Sequence, residues 1–139
     1  MKAYLSTLNP EDDKLNYFRN IGSFANQVMD SEATEIVCDQ FLSSFVYEEV
    51  PKVIDLILTK MRTGCELTIV EPDFYLISKL VFRENVKLQA INERVFKSNI
   101  LKCMLKLEAI EPLLQKPNIQ IVSKHFDEDL CKFVIKARR

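Results

Sequence analysis

Few side chains in this 139-residue sequence have the type and spacing to carry chemistry. His125 is the only histidine, so no histidine metal pair can be written, and no G-x-S-x-G elbow is present; next to Phe126 at the hairpin turn it reads as an exposed loop residue before a general base. The four cysteines, Cys38, Cys65, Cys103 and Cys131, include no C-x-x-C pair for zinc or redox work, and each reads as a small buried hydrophobe. Two glycines, Gly22 and Gly64, lie too far apart to cradle a phosphate or pyrophosphate, which removes the P-loop and the dinucleotide fingerprint. Glu11-Asp12-Asp13 reads as a solvated turn and not a metal site, because adjacent carboxylates point apart and no calcium-loop spacing follows. What remains is a polar set. Asp39 and Gln40 follow an apolar strand, where an open α/β sheet presents ligand-binding groups, and Ser6, Thr7 and Asn9 would form a polar lip beside them. The same residues also read as ordinary caps and turn formers.

The elements that must position these groups follow from periodicity. Short apolar runs predict strands over 2–6, 16–21, 34–39 and 65–70, with Ser23 to Thr34 mostly loop. Val50, Val53, Ile54, Ile57, Leu58 and Met61 recur at helical steps and predict a helix from Glu48 to Arg62, with Pro51 just inside its start and Gly64 at its stop. Asp73 can cap a helix carrying Phe74, Ile77, Leu80 and Val81, while 86–97 is ambiguous. Ser98 or Asn99 can cap a further helix with Ile100, Leu101, Met104, Leu105 and Leu107 on its apolar side, running to about Glu111-Pro112. An antiparallel hairpin over 118–124 and 131–137, turning at Asp127-Glu128-Asp129, closes the chain. Phe41, Phe45 and Tyr47 read as core packing where a helix approaches the sheet. Strand and helix alternation of this kind is the mark of an α/β sheet, in one domain over residues 1–139.

Composition narrows the partners. Nineteen Lys and Arg against twenty Asp and Glu leave a net charge of −1, so no global positive field recruits nucleic acid or an anionic membrane. Hydrophobic residues at 47% and charged residues at 28% are globular, and no apolar run approaches a membrane span or signal-peptide core. The expectation is a soluble, cytoplasmic protein.

The words match a known pattern as well as the order of elements. Glu35-Ile36-Val37-Cys38-Asp39-Gln40-Phe41-Leu42-Ser43-Ser44-Phe45 resembles the fourth-strand segment of class I S-adenosylmethionine-dependent methyltransferases, which runs through a Leu-Glu-His and an aromatic. Glu49-Val50-Pro51-Lys52-Val53-Ile54 is similar to the helix that follows. Arg62-Thr63-Gly64-Cys65 through Val70-Glu71-Pro72-Asp73 resembles that family's Lys-Pro-Gly-Gly turn and fifth strand, with the Pro-Asp of members linked to surface-glycan biosynthesis. Ala3-Tyr4-Leu5-Ser6 lies where the subgroup has an Asn-Leu-Gly-cysteine-glycine loop, and Asn16-Tyr17-Phe18-Arg19-Asn20-Ile21-Gly22 where it has Gly-Tyr-x-Asn-x-Asp. The resemblance implies a Rossmann-like sheet, mainly parallel, with a C-terminal antiparallel hairpin and a shortened N-terminal half.

It also implies an eroded site. The family's glycine-rich first loop reads Ser6-Thr7-Leu8-Asn9-Pro10, its ribose-binding acid falls at Gly22, and its Glu-His falls at Ser43-Ser44. Arg94, in Asn92-Glu93-Arg94, lies where related enzymes carry a substrate-side His-Arg, with a solvated ion pair as the plainer reading. The expectation is therefore a degenerate methyltransferase-like domain, a pseudoenzyme with no cofactor, acting through a protein partner or as a homodimer that covers the face near Tyr4, Tyr17 and Phe18. The alternative is an active or weakly active enzyme on a sugar or small-molecule acceptor. In that case S-adenosylmethionine would be held by Ser6, Thr7, Asn9, Asp39 and Gln40. A third class, a small-ligand or nucleic-acid binding module, has net charge against its nucleic-acid form.

Overall fold

A computed structural model describes residues 1–8, 16–97 and 101–139. Its six strands are β1 Lys2–Ser6, β2 Asn16–Phe18, β3 Ala33–Asp39, β4 Met61–Pro72, β5 Gln120–Asp127 and β6 Lys132–Arg138, in the spatial order β2-β1-β3-β4-β6-β5. The first four are mutually parallel and β6 and β5 antiparallel, so the chain has the mainly parallel, Rossmann-like sheet with an antiparallel C-terminal hairpin that its sequence predicts. β3 and β4 sit at the centre with Ile36 opposite Leu67 and Cys38 opposite Ile69.

Period-two alternation sorts the side chains. Leu5, Ile36, Cys38, Leu67, Ile69, Phe133 and Ile135 all point to one face and are buried beneath helical segments. The cover comes from α1 Ile21–Gln27, α2 Val50–Lys60 and α5 Leu107–Ile110, whose Phe24, Val53, Ile57 and Ile110 share that core. A second, smaller cluster forms where α3 Phe74–Phe82 packs Leu76, Ile77 and Leu80 against Ile91 and Val95 of α4, which starts at Leu88–Ile91 and ends in a π-turn, Asn92–Phe96.

Several boundaries differ from the sequence expectation, each for a physical reason. β2 stops at Phe18, and the segment expected to be loop begins instead with α1, because the Asn20 side chain accepts from Ser23 N at 2.8 Å and Phe24 docks edge-on to Phe18. Phe24 and Val28 thereby cover Phe18 from within the chain, which removes the exposed Phe18 side as a reason for a homodimer. α2 ends at Lys60, not Arg62. Met61 is buried and extended, already paired with Ala33 as the first residue of β4, so Gly64 is no helix stop but a strand residue with φ +85° whose N–H donates to Arg139 O.

The helix expected from Ser98 or Asn99 starts outside the described residues, and 101–106 is not helical. Only α5 and a 3₁₀ turn, Glu111–Leu114, remain of it. β5 starts two and ends three residues later than expected, β6 starts and ends one residue later, and Tyr47 is 56% exposed instead of part of the core. No helix among the described residues is long and apolar enough to cross a membrane.

Candidate functional site

Parallel strands aim their C-terminal ends at one edge of the sheet, and register fixes which residues meet there. Ser6 lies opposite Asp39 on the adjacent strand, and Asp39 opposite Val70, so the ends of β1, β3 and β4 form one rim. Three of the residues singled out from sequence, Ser6, Asp39 and Gln40, are brought together there. Thr7 follows Ser6 and is partly buried, and Asn9 lies outside the described residues.

Gln40 turns the chain off the strand. It adopts φ +54°, unusual for a residue with a side chain, donates its N–H to Val70 O at 2.8 Å, and is buried. That turn carries the chain through Phe41 into a single 3₁₀ turn, Leu42–Ser44, whose N–H groups meet a carboxylate the sequence reading missed. Glu71 near the end of β4 is fully buried and its Oε1 accepts from Leu42 N at 2.7 Å and Ser43 N at 3.4 Å. Burial pushes its carboxyl up from 4.5 to about 7; the hydrogen bonds from Ser43 and Leu42 oppose that, and the nearby charge of Asp39 adds to it. The signal for Glu71 was present in the alternation Cys65, Leu67, Ile69, Glu71, which places it on the buried face.

Tyr4 is the other residue missed. Its hydroxyl donates to Asp39 Oδ2 at 2.6 Å, and burial together with that bond holds the phenol well above its ordinary range. Burial likewise pushes the Cys38 thiol up, and that of Cys103 to about 11. Among the described residues, four buried side-chain oxygens at this rim have no hydrogen-bond partner: Asp39 Oδ1, Gln40 Oε1, Ser43 Oγ and Glu71 Oε2.

Other anticipated groups are engaged elsewhere. β2 ends at Phe18 and is followed by Arg19 and Asn20, so Gly22, inside α1, is not the strand-end position. Asn20, which is closer to that position, spends its carbonyl oxygen on the cap of α1. Ser6 Oγ accepts from Leu8 N at 3.1 Å. Ser44 Oγ donates to Phe41 O at 2.6 Å. Arg94 donates to Asp129 O at 2.9 Å, and His125 is exposed on β5. Among the described residues no cluster of His, Cys, Asp or Glu could hold a metal ion, and the four cysteines are free thiols.

No protein-family model and no curated protein matches this sequence. Solved structures do. A SAM-dependent methyltransferase from Archaeoglobus fulgidus superposes with a TM-score of 0.62 at 10% identity, over 99% of this chain and 85% of that one. One from Methanosarcina mazei gives 0.64 at 13% identity, over 99% and 91%. Magnesium protoporphyrin IX methyltransferase from Synechocystis PCC 6803, solved with bound SAH, gives 0.57 at 13% identity, over 93% of this chain and 53% of that one. Identities this low speak for architecture alone, and the architecture is the Rossmann-like fold of the SAM-dependent methyltransferases.

Proposed function

We propose that this chain is a methyltransferase-fold domain that has given up S-adenosylmethionine and works without catalysis, by binding protein. The observation that carries this reading is how the groups at the strand ends are used. The residues after β2 are Arg19 and Asn20, neither an acid, and the Asn20 oxygen already caps α1. A cofactor ribose would gain about 1.5 to 3 kcal/mol from each hydrogen bond to a charged acid there, so its loss weakens binding by roughly a few hundred-fold. Asp39 is tied to Tyr4 at 2.6 Å, and Ser6 Oγ to its own turn. Asp30, a conceivable substitute acid, is bonded to Lys60 at 2.8 Å, the last residue of α2, next to the start of β4 and far from the rim. This use of the strand-end groups supports a chain that does not hold the cofactor; Asp12 and Asp13, the other acids that could replace the missing one, lie outside the described residues.

A second reading has one observation in its favour. The four rim oxygens that lack partners among the described residues are buried, and on opening of the rim they would accept hydrogen bonds from a ligand's N–H or O–H groups, as an active or weakly active methyltransferase on a sugar or small-molecule acceptor would require. Calorimetric titration of the full chain with S-adenosylhomocysteine and S-adenosylmethionine separates the two. We expect no saturable heat at micromolar ligand; a dissociation constant below about 50 µM would overturn the proposal and promote the enzyme.

A further inference from the structure

Residues 101–106 are not helical, and their course builds a pocket. Ser43 O accepts from Lys102 N at 2.7 Å and Leu105 O from Phe74 N at 2.9 Å, which fixes this segment alongside the start of α3. Asp73 clamps the two together, Oδ1 accepting from Leu76 N in α3 and Oδ2 from Leu107 N at the start of α5. Side chains then alternate: Leu105 and Leu107 are buried, whereas Met104 and Lys106 stand out. Together with Tyr47 and with Phe74 and Tyr75 of α3, they enclose a cavity of about 410 Å³. All its walls are described residues, and none of Ser6, Asp39, Gln40 or Glu71 is among them.

Three large side chains left exposed by the fold meet at this cavity: Tyr47 at 56%, Tyr75 at 52% and Met104 at 65%. Such groups gathered round a concavity mark a binding site, and the volume suits a small organic molecule. The rings of Tyr47, Phe74 and Tyr75 would take a flat aromatic body or, through their faces, a quaternary ammonium. Charge decides between the two. Lys79 Nζ already lies 5.0 Å from the centroid of the Tyr75 ring, and Lys106 is itself a wall, whereas no wall is an acid. Glu108 stands 3.8 Å from Lys106, but both are more than half exposed, so Lys106 gives up that pair at little cost.

We propose that this pocket binds a small aromatic anion, its rings against Tyr47, Phe74 and Tyr75 and its carboxylate or sulfonate met by Lys106 and Lys79. A cationic ligand would face both ammonium groups, and a neutral one would leave them unused. The site goes beyond the reading of the chain as a protein-binding domain and does not rest on it.

Fluorescence titration of the full chain with anilinonaphthalene sulfonate, and with phenylnaphthylamine, the same body without the anion, tests it. The sulfonate should bind saturably at a single site, with a dissociation constant of about 1 to 100 µM, and at least about five-fold more tightly than the neutral probe. Lys106→Glu should abolish that preference and leave the neutral probe within about two-fold of its former affinity. Tyr75→Ala, at a half-exposed helical position where alanine keeps the fold, should weaken both probes at least about five-fold. Binding that does not saturate, equal affinity for the two probes, or a site that either variant leaves unchanged would overturn the proposal. Displacement of the sulfonate by choline or by S-adenosylhomocysteine would overturn it as well. Saturable S-adenosylhomocysteine binding that leaves the sulfonate in place would sink the non-catalytic reading and leave this site standing.

Discussion

Replacing Glu71 with glutamine should make the protein more stable, and increasingly so as pH rises. The folded state holds the Glu71 proton more tightly than the unfolded chain does, because the carboxyl goes from 4.5 to about 7 on burial. Stability from this group is therefore fully present below about pH 4.5 and lost as pH rises through about 7, where the buried carboxylate must carry its charge. The interval corresponds to about 3 kcal/mol at 1.36 kcal/mol per unit. Glutamine keeps the carbonyl that accepts from Leu42 N and Ser43 N, supplies an amide donor to a rim of oxygens that lack one, and never ionises. At pH 8 the variant should gain up to about 3 kcal/mol, or roughly 10 °C in Tm. Urea unfolding of both proteins at intervals from pH 5 to pH 8 measures the difference. Groups that titrate in both cancel, so the gap between the curves isolates Glu71. Parallel curves, or a variant less stable at pH 8, would refute the assignment of a buried proton to this carboxyl.

Three further substitutions probe the scaffold, all by denaturant unfolding. Ile57→Ala empties a fully buried position between α2 and the sheet and should cost about 2 to 5 kcal/mol. Asp73→Ala removes at once the cap of α3, where Oδ1 accepts from Leu76 N at 2.8 Å, and the anchor of α5, where Oδ2 accepts from Leu107 N at 2.9 Å; a loss of about 2 to 4 kcal/mol is expected. Gly64→Ala meets nothing within 4 Å, so its cost is the φ of +85° alone, about 1 to 2 kcal/mol, and a larger loss would mean that the Gly64 to Arg139 bond breaks as well.

What the sequence made legible was whatever a single segment determines. The apolar repeat from Val50 to Leu58, the compact strand around Ile36 and the Asp73 cap each declare themselves within a few residues, and the structure has them in place. What stayed hidden depends on distant partners. α1 buries only Phe24 and carries no first-turn acid or last-turn base, so its one local mark is the Asn20 cap, a residue type that turns share. Leu101 to Leu107 has helical spacing, yet its backbone is committed elsewhere: Lys102 N and Cys103 N donate to Ser43 O, and Leu105 O accepts from Phe74 N. Gly64 behind Lys60 and Arg62 has the form of a helix stop, but pairing of Met61 with Ala33 takes those residues into the sheet. At the rim, the position of Asp39 and Gln40 is legible because a strand end is predictable, while Tyr4 and Glu71 come to it through contacts 35 and 29 residues away.

The place of β6 between β4 and β5 has a consequence for how the molecule is made. Glu66 of β4 pairs with Arg138 of β6 across 72 residues of sequence, so one edge of the central strand stays without its neighbour until β6 is available. Until then β4 offers a row of free amides and carbonyls alongside the alternating Leu67, Ile69 and Glu71. Non-local pairing of this kind slows folding and lengthens the time during which two nascent chains can pair edge to edge. Insertion of β6 is thus the step that gives the central strand β4 both its neighbours, and yield at high expression should be governed by that step before any property of the finished rim.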